Sequence, residues 1–336
     1  MLKRIRLGRK LVGDFEPVFI VAEVANTHEV SFEVAKRMID DIESTGVDAV
    51  KFQLHIPREE MIRSHPKFFM QGKRSLSIGQ LADLKSYAET KGLYFLCTPF
   101  SRKAADQLEE IGVDAFKIGS GEMTDLPFIE HIARKGTPMI ISTGMSGDQE
   151  ITETVELVGS YGTPFMLVHC ISIYPTPYER LNLGVIPKMR ERYGVAVGLS
   201  DHTPEIFSAI AAVPYGVSLI EKHYTLNRNT VGTSDHKVSL ERHEFKMLVD
   251  GVRKIEKARG NVKIIFSEER PIIEWARHAV VTVKDVPAGK IIGVEDISTK
   301  RPLYDGIPAK FLYKVIGQRA KHNITEDSII RWTDIE

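Results

Sequence analysis

The chain has little cysteine, no excess of one charge and no long apolar run. Two of its 336 residues are cysteines, Cys97 and Cys170, and each ends a short apolar segment. Two thiols placed in this way provide neither a disulfide framework nor the spacing of a zinc site, and they suit a reducing compartment. We therefore expect both thiols to be buried and free, and the protein to be cytoplasmic.

Charge and hydropathy exclude further classes of protein. The 45 basic and 45 acidic residues cancel, which argues against nucleic acid or a membrane surface as a partner. No apolar run approaches the ~18 residues of a membrane span. The basic start, MLKRIRLGRK, lacks the apolar segment of a signal peptide and predicts a surface strand or a solvated arm.

Short apolar runs alternate with amphipathic stretches over residues 1–260. Eight runs predict strands, and eight stretches of helical period follow them. The predicted strands span 18–24, 48–52, 94–97, 115–118, 139–142, 165–170, 195–199 and 219–223. Such alternation implies parallel pairing, and eight units over ~250 residues favour a (β/α)8 TIM barrel of the α/β class. An open Rossmann sheet is disfavoured because the first loop lacks a glycine-rich dinucleotide fingerprint.

Two further segments stand out from this pattern. The long connection 55–77 contains prolines and a Phe68-Phe69 pair, and it predicts a lid or an interface loop. After Gly260 the character changes: residues 261–277 predict a linker, and 278–336 a small, mostly β module. A module of about 60 residues buries little core, so we expect it to lean on another surface.

The segment FKIGSGE (116–122) shows how polar groups follow a buried strand. It delivers Lys117, Ser120 and Glu122 around two glycines that allow a tight turn close to an anion. One such lysine could simply extend to the strand end, but the other seven strands repeat the pattern. In a barrel all these ends meet on the catalytic face. The polar residues there are Glu23, Asn26, His28, Lys51, Gln53, His55, Thr98, Lys117, Ser120, Glu122, Ser142, Thr143, Met145, His169, Ser172, Tyr174, Ser200, Asp201, His202, Glu221, Lys222, His223, Asp235 and His236.

The basic and hydroxyl groups of this ring suggest an anionic ligand. Lys51 and Lys117 supply two ammonium groups, which suit a phosphate together with a carboxylate. The accompanying hydroxyls are those of Thr98, Ser120, Ser142 and Ser200.

The imidazoles and carboxylates of the ring leave alternatives open. His202 and His223 could hold a divalent metal with room for a substrate, or each could be a hydrogen-bonded structural imidazole. Glu23, Glu122 and Asp235 could bind sugar hydroxyls or move protons, or they could be solvated loop residues.

Ordered motifs along almost the whole chain resemble those of a known family. The motifs are AEVANTHE (22–29), VKFQ (50–53), CTPF (97–100), FKIGSGE, STGM (142–145), HCISIYPTP (169–177), GLSDHT (198–203), EKHYT (221–225) and SDHKVSLE (234–241). In this order they are similar to the sialic acid synthases, the phosphoenolpyruvate-dependent N-acetylneuraminate synthase family. The terminal module resembles an antifreeze-like SAF domain.

The resemblance implies a reaction and a set of roles. Phosphoenolpyruvate would condense with an open-chain, N-acetylmannosamine-like aldehyde to give a nine-carbon acid such as N-acetylneuraminate and free phosphate. The implied ligands of Mn²⁺ or Mg²⁺ are His202 and His223. The implied phosphoenolpyruvate contacts are Lys51, Thr98, Lys117, Ser120, Ser142 and Ser200. The residues implied to hold the amino sugar or assist proton transfer are Glu23, Gln53, Glu122, Tyr174 and Asp235.

The resemblance also implies a partner subunit and shows two departures. Arg301 matches an arginine that reaches into the partner's active site, so a domain-swapped homodimer is implied. Ser172 stands where some members carry an asparagine that contacts phosphoenolpyruvate. AEVANTHE lacks two glycines that many members have, one before the asparagine and one after the His-Asn pair.

Other functions remain open from the sequence. A legionaminate-type synthase would use 2,4-diacetamido-2,4,6-trideoxymannose in place of N-acetylmannosamine. A Schiff-base pyruvate aldolase or lyase would use Lys117 as a covalent nucleophile and need no metal. A sugar-binding protein without activity is disfavoured, because it has no need of both the lysines and the paired histidines.

Overall fold

The computed structural model describes residues 3–72, 75–302 and 305–336. The chain forms two compact units, Met1–Gly260 and Asn261–Glu336. Each unit has its own buried apolar cluster.

The first unit opens with an antiparallel hairpin of β1 (Arg4–Leu7) and β2 (Lys10–Gly13). Ile5, Leu7 and Val12 are buried in one cluster with Phe19 and Leu219, which begin two barrel strands. Because alternate residues of β1 are apolar, the hairpin covers the amino-terminal end of the barrel with one face. The solvated-arm interpretation of this segment is therefore wrong.

Eight parallel strands then close into a barrel, so the predicted (β/α)8 TIM-barrel class is confirmed. The strands are β3 (Phe19–Glu23), β4 (Ala49–Leu54), β5 (Tyr94–Pro99), β6 (Phe116–Ile118), β7 (Met139–Ser142), β8 (Phe165–Cys170), β9 (Val197–Asp201) and β10 (Leu219–His223). Strand β10 pairs with both β3 and β9, which leaves the sheet without an edge. All eight carboxyl ends therefore open onto one face.

Helices surround the barrel and complete the βα units. They are α1 (Phe32–Glu43), α2 (Pro57–Glu60), α3 (Phe68–Gly72), α4 (Ile78–Thr90), α5 (Arg102–Glu110), α6 (Leu126–Ala133), α7 (Asp148–Ser160), α8 (Val185–Tyr193), α9 (Phe207–Ala212), α10 (Asp235–Val238) and α11 (Arg242–Ala258). Helix α1 begins where the Ser31 hydroxyl accepts the N–H of Val34 at 3.3 Å. Ser101 starts α5 in the same way, at 3.2 Å from the N–H of Ala104.

The long connection 55–77 contains the short helices α2 and α3. Residues 73–74 of the predicted lid or interface loop lie outside the described residues. Both cysteines are buried and free, as the sequence predicts. Among the described residues, no helix combines the length and apolar character that a bilayer span requires.

The second unit is built from short elements around a small core. It contains α12 (Arg270–Ala276), an antiparallel pair of β11 (Ala279–Thr282) and β12 (Ile297–Lys300), and α13 (Leu312–Val315). Its core residues are Val280, Val286, Ile292, Ile297, Ile307, Val315, Ala320, Ile324, Ile330 and Ile335. Isolated β-bridges join its turns, which agrees with the predicted pattern of short strands.

Candidate active site

Strand parity divides the polar residues at the barrel face into two sets. In β10, Glu221 and His223 line the interior, whereas Lys222 lies on the outer side and pairs with Asp201 of β9. His169 also faces outward, with Nε2 2.7 Å from the carbonyl oxygen of Leu181. Some of the residues predicted at this face, among them His169, Asp201 and Lys222, therefore have structural partners outside the barrel.

The inward set surrounds one cavity of about 420 Å³ at the carboxyl ends of the strands. Every candidate site residue named from the sequence, apart from Arg301, lines it: Glu23, Lys51, Gln53, Thr98, Lys117, Ser120, Glu122, Ser142, Ser172, Tyr174, Ser200, His202, His223 and Asp235. The other lining residues are Asn26, Phe100, Gly119, Gly121, Met145, Cys170 and Glu221. The fold thus brings together residues from all eight strand ends.

Two buried lysines share one carboxylate inside this cavity. Glu221 Oε2 lies 2.9 Å from Lys51 Nζ, and Oε1 lies 3.8 Å from Lys117 Nζ. Burial works to raise the pKa of Glu221, but the two ammonium groups overcome it and hold the pKa well below its usual range. Lys51, which also faces Glu23 at 3.3 Å, has a raised pKa because these carboxylates outweigh burial. Burial lowers the pKa of Lys117, which has only the longer contact.

Hydroxyl groups extend this charged cluster. Lys117 Nζ donates to Ser142 Oγ at 2.7 Å, and Ser200 Oγ donates to Glu221 Oε1 at 2.9 Å. Thr98 Oγ1 is buried and has no hydrogen-bond partner. These groups supply directed hydrogen bonds at the place where the positive charge is concentrated.

The two histidines and Tyr174 form a separate wall. The ring centroids of His202 and His223 are 5.2 Å apart. His202 Nδ1 lies 3.0 Å from the carbonyl oxygen of Ile171, so Nδ1 carries a hydrogen, and in the neutral ring Nε2 accepts from the Tyr174 hydroxyl at 2.9 Å.

The residues of this wall fit a divalent metal with a sparse protein ligand set. His223 Nδ1 is buried without a partner, and burial lowers the pKa of His223 to about 3, so the ring is neutral and can donate a lone pair. Within the described ranges, no group of three or more His, Cys, Asp or Glu residues is arranged for a metal. A metal here would take two protein ligands and leave positions for water or substrate.

Carboxylates line the rest of the cavity. Glu23 Oε1 accepts a hydrogen bond from Gln53 Nε2 at 2.7 Å, while Glu23 Oε2 makes no hydrogen bond and lies 3.3 Å from Lys51 Nζ as an ion pair. Burial raises the pKa of Glu23 to about 7, although Lys51 opposes this. Burial likewise raises the pKa of Glu122 to about 7, and its Oε2 has no partner. These two groups can exchange protons near neutral pH.

Asp235 closes the side of the cavity between the first and last loops. Its Oδ2 accepts from Asn26 Nδ2 at 3.2 Å and from Thr233 Oγ1 at 3.0 Å. Burial works to raise the pKa of Asp235, but the nearby His223 and these hydrogen bonds lower it. Asp235 therefore stays ionised and can accept hydrogen bonds from a ligand.

The sequence placed Glu221 and Asn26 at the barrel face without giving them a role, and it did not select Phe100 or Cys170 as site residues. Glu221 could have been recognised from parity, since it lies two positions before His223 on the same strand. Phe100 and Cys170 carry no polar signal of their own, and they are found only through the folded geometry.

Arg301 lies in the second unit. Its side chain is exposed, and the guanidinium lies 4.9 Å from the ring centroid of Trp275. Its assignment to the active site of a partner subunit stays a prediction.

Comparison with known proteins agrees with this geometry. The model of the NeuB family matches residues 38–264, about two thirds of the chain, and the model of the SAF domain matches residues 277–336. The chain belongs to the NeuB family.

Relatives of this NeuB-family chain span nearly its full length. It is 34% identical over 330 residues to N,N'-diacetyllegionaminic acid synthase of Campylobacter jejuni, covering 93% of this chain and 98% of that protein. It is 31% identical over 334 residues to N-acetylneuraminate-9-phosphate synthase of Homo sapiens, covering 95% of this chain and 93% of that protein.

A solved structure shows the same fold. N-acetylneuraminic acid (sialic acid) synthetase of Leptospira borgpetersenii, in complex with citrate, has a TM-score of 0.77 and 32% identity, covering 82% of this chain and 96% of that one. The sequence-based resemblance is thus confirmed. The NeuB-family chain is an enzyme of the sialic acid synthase type, which forms a C–C bond using phosphoenolpyruvate.

Proposed function

We propose that the enzyme condenses phosphoenolpyruvate with N-acetylmannosamine, giving N-acetylneuraminate and phosphate. One observation carries the proposal. Of the six buried, unpartnered side-chain polar atoms among the described residues, four belong to the cavity, in Glu23, Thr98, Glu122 and His223. A buried polar group without a partner is unfavourable, so the concentration of four in one cavity indicates a polar ligand.

The lysine cluster supports the placement of phosphoenolpyruvate. Lys51 and Lys117 are almost completely buried and share the carboxylate of Glu221, and Lys51 also faces Glu23, whose pKa is raised by burial to about 7. With Glu23 protonated, the cluster carries net positive charge. An anion bound there would gain charge-assisted hydrogen bonds in a site of low dielectric. The phosphate and carboxylate of phosphoenolpyruvate supply the complementary charges.

The proposed chemistry forms a C–C bond and a C–O bond to water, and it breaks the C–O bond to phosphate. The enol carbon of phosphoenolpyruvate attacks the aldehyde carbon of the open-chain sugar, whose oxygen takes up a proton. Water adds to the cationic carbon left behind and loses a proton, and phosphate departs by C–O cleavage. Glu23 suits the proton transfer from water, because its pKa of about 7 lies near neutrality and its Oε2 makes no hydrogen bond. Lys51 and Lys117 would hold the charge that develops on the departing phosphate.

We extend the proposal to a divalent Mn²⁺ or Mg²⁺ ion held by His202 and His223. When bound, such an ion acts as a Lewis acid that polarises the aldehyde oxygen. The neutral His223 ring, with a buried unpartnered Nδ1, supports this assignment. Tyr174 and Asp235 then orient the sugar from the same wall.

Phosphate release tests the proposed activity. The full chain is mixed with phosphoenolpyruvate, Mn²⁺ and each of three sugars: N-acetylmannosamine, its 6-phosphate and 2,4-diacetamido-2,4,6-trideoxymannose. We expect release with N-acetylmannosamine, loss in Lys117→Met, and no change in the matched surface variant Lys85→Met. Release only with the trideoxy sugar would instead support the legionaminate alternative, to which the Campylobacter relative points.

The Schiff-base alternative rests on the lowered pKa of Lys117, whose main cause is burial. Trapping with borohydride and pyruvate separates the two mechanisms. We expect no covalent adduct, together with loss of phosphate release in EDTA. A pyruvate adduct at Lys117 that forms in EDTA would overturn the proposed reaction.

We further propose that the enzyme is a domain-swapped homodimer in which Arg301 contacts the N-acetyl group in the partner's site. The exposed position of the Arg301 side chain is compatible with this role. Mixing Arg301→Ala with the inactive Lys117→Met variant tests it, because each mixed dimer then contains one complete site. Activity that does not recover on mixing would contradict the swap.

A further inference from the structure

A line of four side chains connects the long loop after β4 to the cavity. Glu60 Oε2 lies 2.9 Å from His55 Nδ1, and His55 Nε2 lies 3.2 Å from Gln53 Oε1. Gln53 Nε2 then donates to Glu23 Oε1 at 2.7 Å. Of these four residues Gln53 and Glu23 line the cavity, so any effect of His55 and Glu60 on the site passes through these two.

The hydrogen-bond roles along this line determine the protonation of His55. Gln53 uses its amide N–H to donate to the Glu23 carboxylate, so its oxygen faces His55. A carboxamide oxygen can only accept, and therefore His55 Nε2 must carry a hydrogen. Glu60 Oε2 also accepts, from His55 Nδ1. In this arrangement both ring nitrogens of His55 carry a hydrogen.

The surroundings of His55 suit a positive charge held in a fixed orientation. Its side chain and that of Glu60 are 8% and 6% exposed, so the pair is largely removed from water. The other oxygen of Glu60 accepts the N–H of Ile56, which holds the carboxylate at the start of α2. The ring stacks on Phe100 with centroids 3.9 Å apart and an interplanar angle of 15°. Glu60 is the counter-ion, and the face of Phe100 prevents rotation.

We propose that His55 is a positioning residue of the synthase: held as an imidazolium by Glu60, it fixes the Gln53 amide so that Gln53 donates to Glu23. The inference rests on the proposed function, because the group it orients is the carboxylate assigned to proton transfer. Fixing Glu23 Oε1 in this way keeps Oε2, which has no hydrogen bond and lies 3.3 Å from Lys51 Nζ, on the side of the lysine cluster.

The competing arrangement is a flipped Gln53 amide. In that arrangement Gln53 would donate to a neutral His55 Nε2, and its oxygen would face Glu23, which would have to be protonated to donate. The two arrangements contain the same number of protons but differ in the protonation state of His55. A measurement of the protonation state of that ring therefore distinguishes them.

Nitrogen NMR of the full chain labelled with ¹⁵N-histidine measures this state directly. The His55 signals are assigned by their disappearance in His55→Gln. We expect both ring nitrogens of His55 to show the shifts of protonated nitrogen near neutral pH, and Glu60→Gln to convert one of them to the unprotonated type. A neutral His55 ring in the wild-type protein would overturn the proposal. The readout does not depend on turnover, so it remains decisive if the proposed reaction fails.

Kinetics then test the positioning role. His55→Gln and Glu60→Gln should lower kcat by about ten- to a hundredfold, because a misplaced catalytic group loses rate on this scale, while KM for phosphoenolpyruvate stays within about twofold. Glu60→Asp, which keeps the charge, should recover part of the loss. His131 is the matched control, since it pairs with Asp106 at 2.6 Å on the surface, and His131→Gln should leave kcat unchanged. An unchanged kcat in His55→Gln would also overturn the proposal.

Discussion

Lys222 donates a hydrogen bond to Asp201 over 2.9 Å on the outer side of the barrel, and neither side chain has measurable exposure. Thr203 Oγ1 accepts a second bond from Lys222 at 3.0 Å, and Ser208 Oγ donates to Asp201 at 2.6 Å. The pair joins β9 and β10 at their carboxyl ends, beside the histidines at 202 and 223. A fully buried and fully hydrogen-bonded ion pair therefore sets the separation of these two strand ends.

Breaking this pair should strongly destabilise the barrel. Lys222→Met leaves the Asp201 carboxylate buried without its counter-ion, which costs about 3–5 kcal/mol of unfolding free energy. Denaturant unfolding checks the value. The surface pair Lys85–Glu89 is the control, because Lys85→Met should change the unfolding free energy by less than about 1 kcal/mol. Similar losses of unfolding free energy in Lys222→Met and Lys85→Met would contradict the structural role of Lys222.

Removing the shared carboxylate should change the pH dependence of phosphoenolpyruvate use. Burial already lowers the pKa of Lys117, and Glu221 is the strongest influence that raises it. Glu221→Gln should therefore lower that pKa further, so that Lys117 loses its charge at a lower pH. We expect the basic limb of kcat/KM for phosphoenolpyruvate to move to lower pH. The surface control Glu153→Gln should leave the basic limb in place. A basic limb that also stays in place in Glu221→Gln would show that Lys117 does not control this limb.

Glu122 should make the protein less stable as pH rises. Burial raises its pKa from 4.5 to about 7, so the folded state binds more protons than the unfolded state between these values. The contribution of Glu122 to the free energy of unfolding is then highest below about pH 4.5 and falls until about pH 7, by up to roughly 3 kcal/mol. Glu122→Gln should remove this part of the slope in unfolding free energy between about pH 5 and pH 8. The exposed control Glu110→Gln should leave the slope unchanged.

The first βα loop should tolerate glycine better than a helix does. Ala25 has φ of 45° in the left-handed region, and Val30 in the same loop has φ of 62°. An L-residue in this region costs about 1–2 kcal/mol, which glycine avoids. Ala25→Gly should therefore be less destabilising than Ala35→Gly within α1 by about 1–2 kcal/mol of unfolding free energy. Equal effects would show that the loop is unstrained at position 25.

The barrel could be predicted from the sequence because each strand is a short apolar run and because residues at the helix ends signal where helices begin and end. Ser31 before α1 and the left-handed glycines after α1, α4 and α5, at 46, 92 and 112, are local signals that do not depend on the rest of the fold. Burial alone did not show which side of each strand faces inward, because strands of a parallel barrel are buried on both faces and the alternation is lost. The inward side of β10 follows only when His223 is taken as a site residue, since Glu221 has the same parity and Lys222 does not.

Other features depend on contacts that no short pattern encodes. The N-terminal hairpin has strands of only four residues each, too short for alternation to separate a covering element from a free arm. The connection from Glu60 to Glu23 needs the stacking of His55 on Phe100, which comes from a different strand end. These relationships are set by tertiary packing, so they become visible only in the folded molecule.

The hairpin of β1 and β2 has a kinetic consequence. Because Ile5, Leu7 and Val12 fill the amino-terminal end of the barrel, substrates reach the cavity through the carboxyl-terminal end. The lysines are 3% exposed, whereas Tyr174 is 41% exposed, so a substrate gripped by the lysines sits beneath one held at the tyrosine. For the proposed pair of substrates we therefore expect ordered binding, with the deeper molecule arriving first. A dead-end sugar analogue should trap phosphoenolpyruvate beneath it and slow its escape.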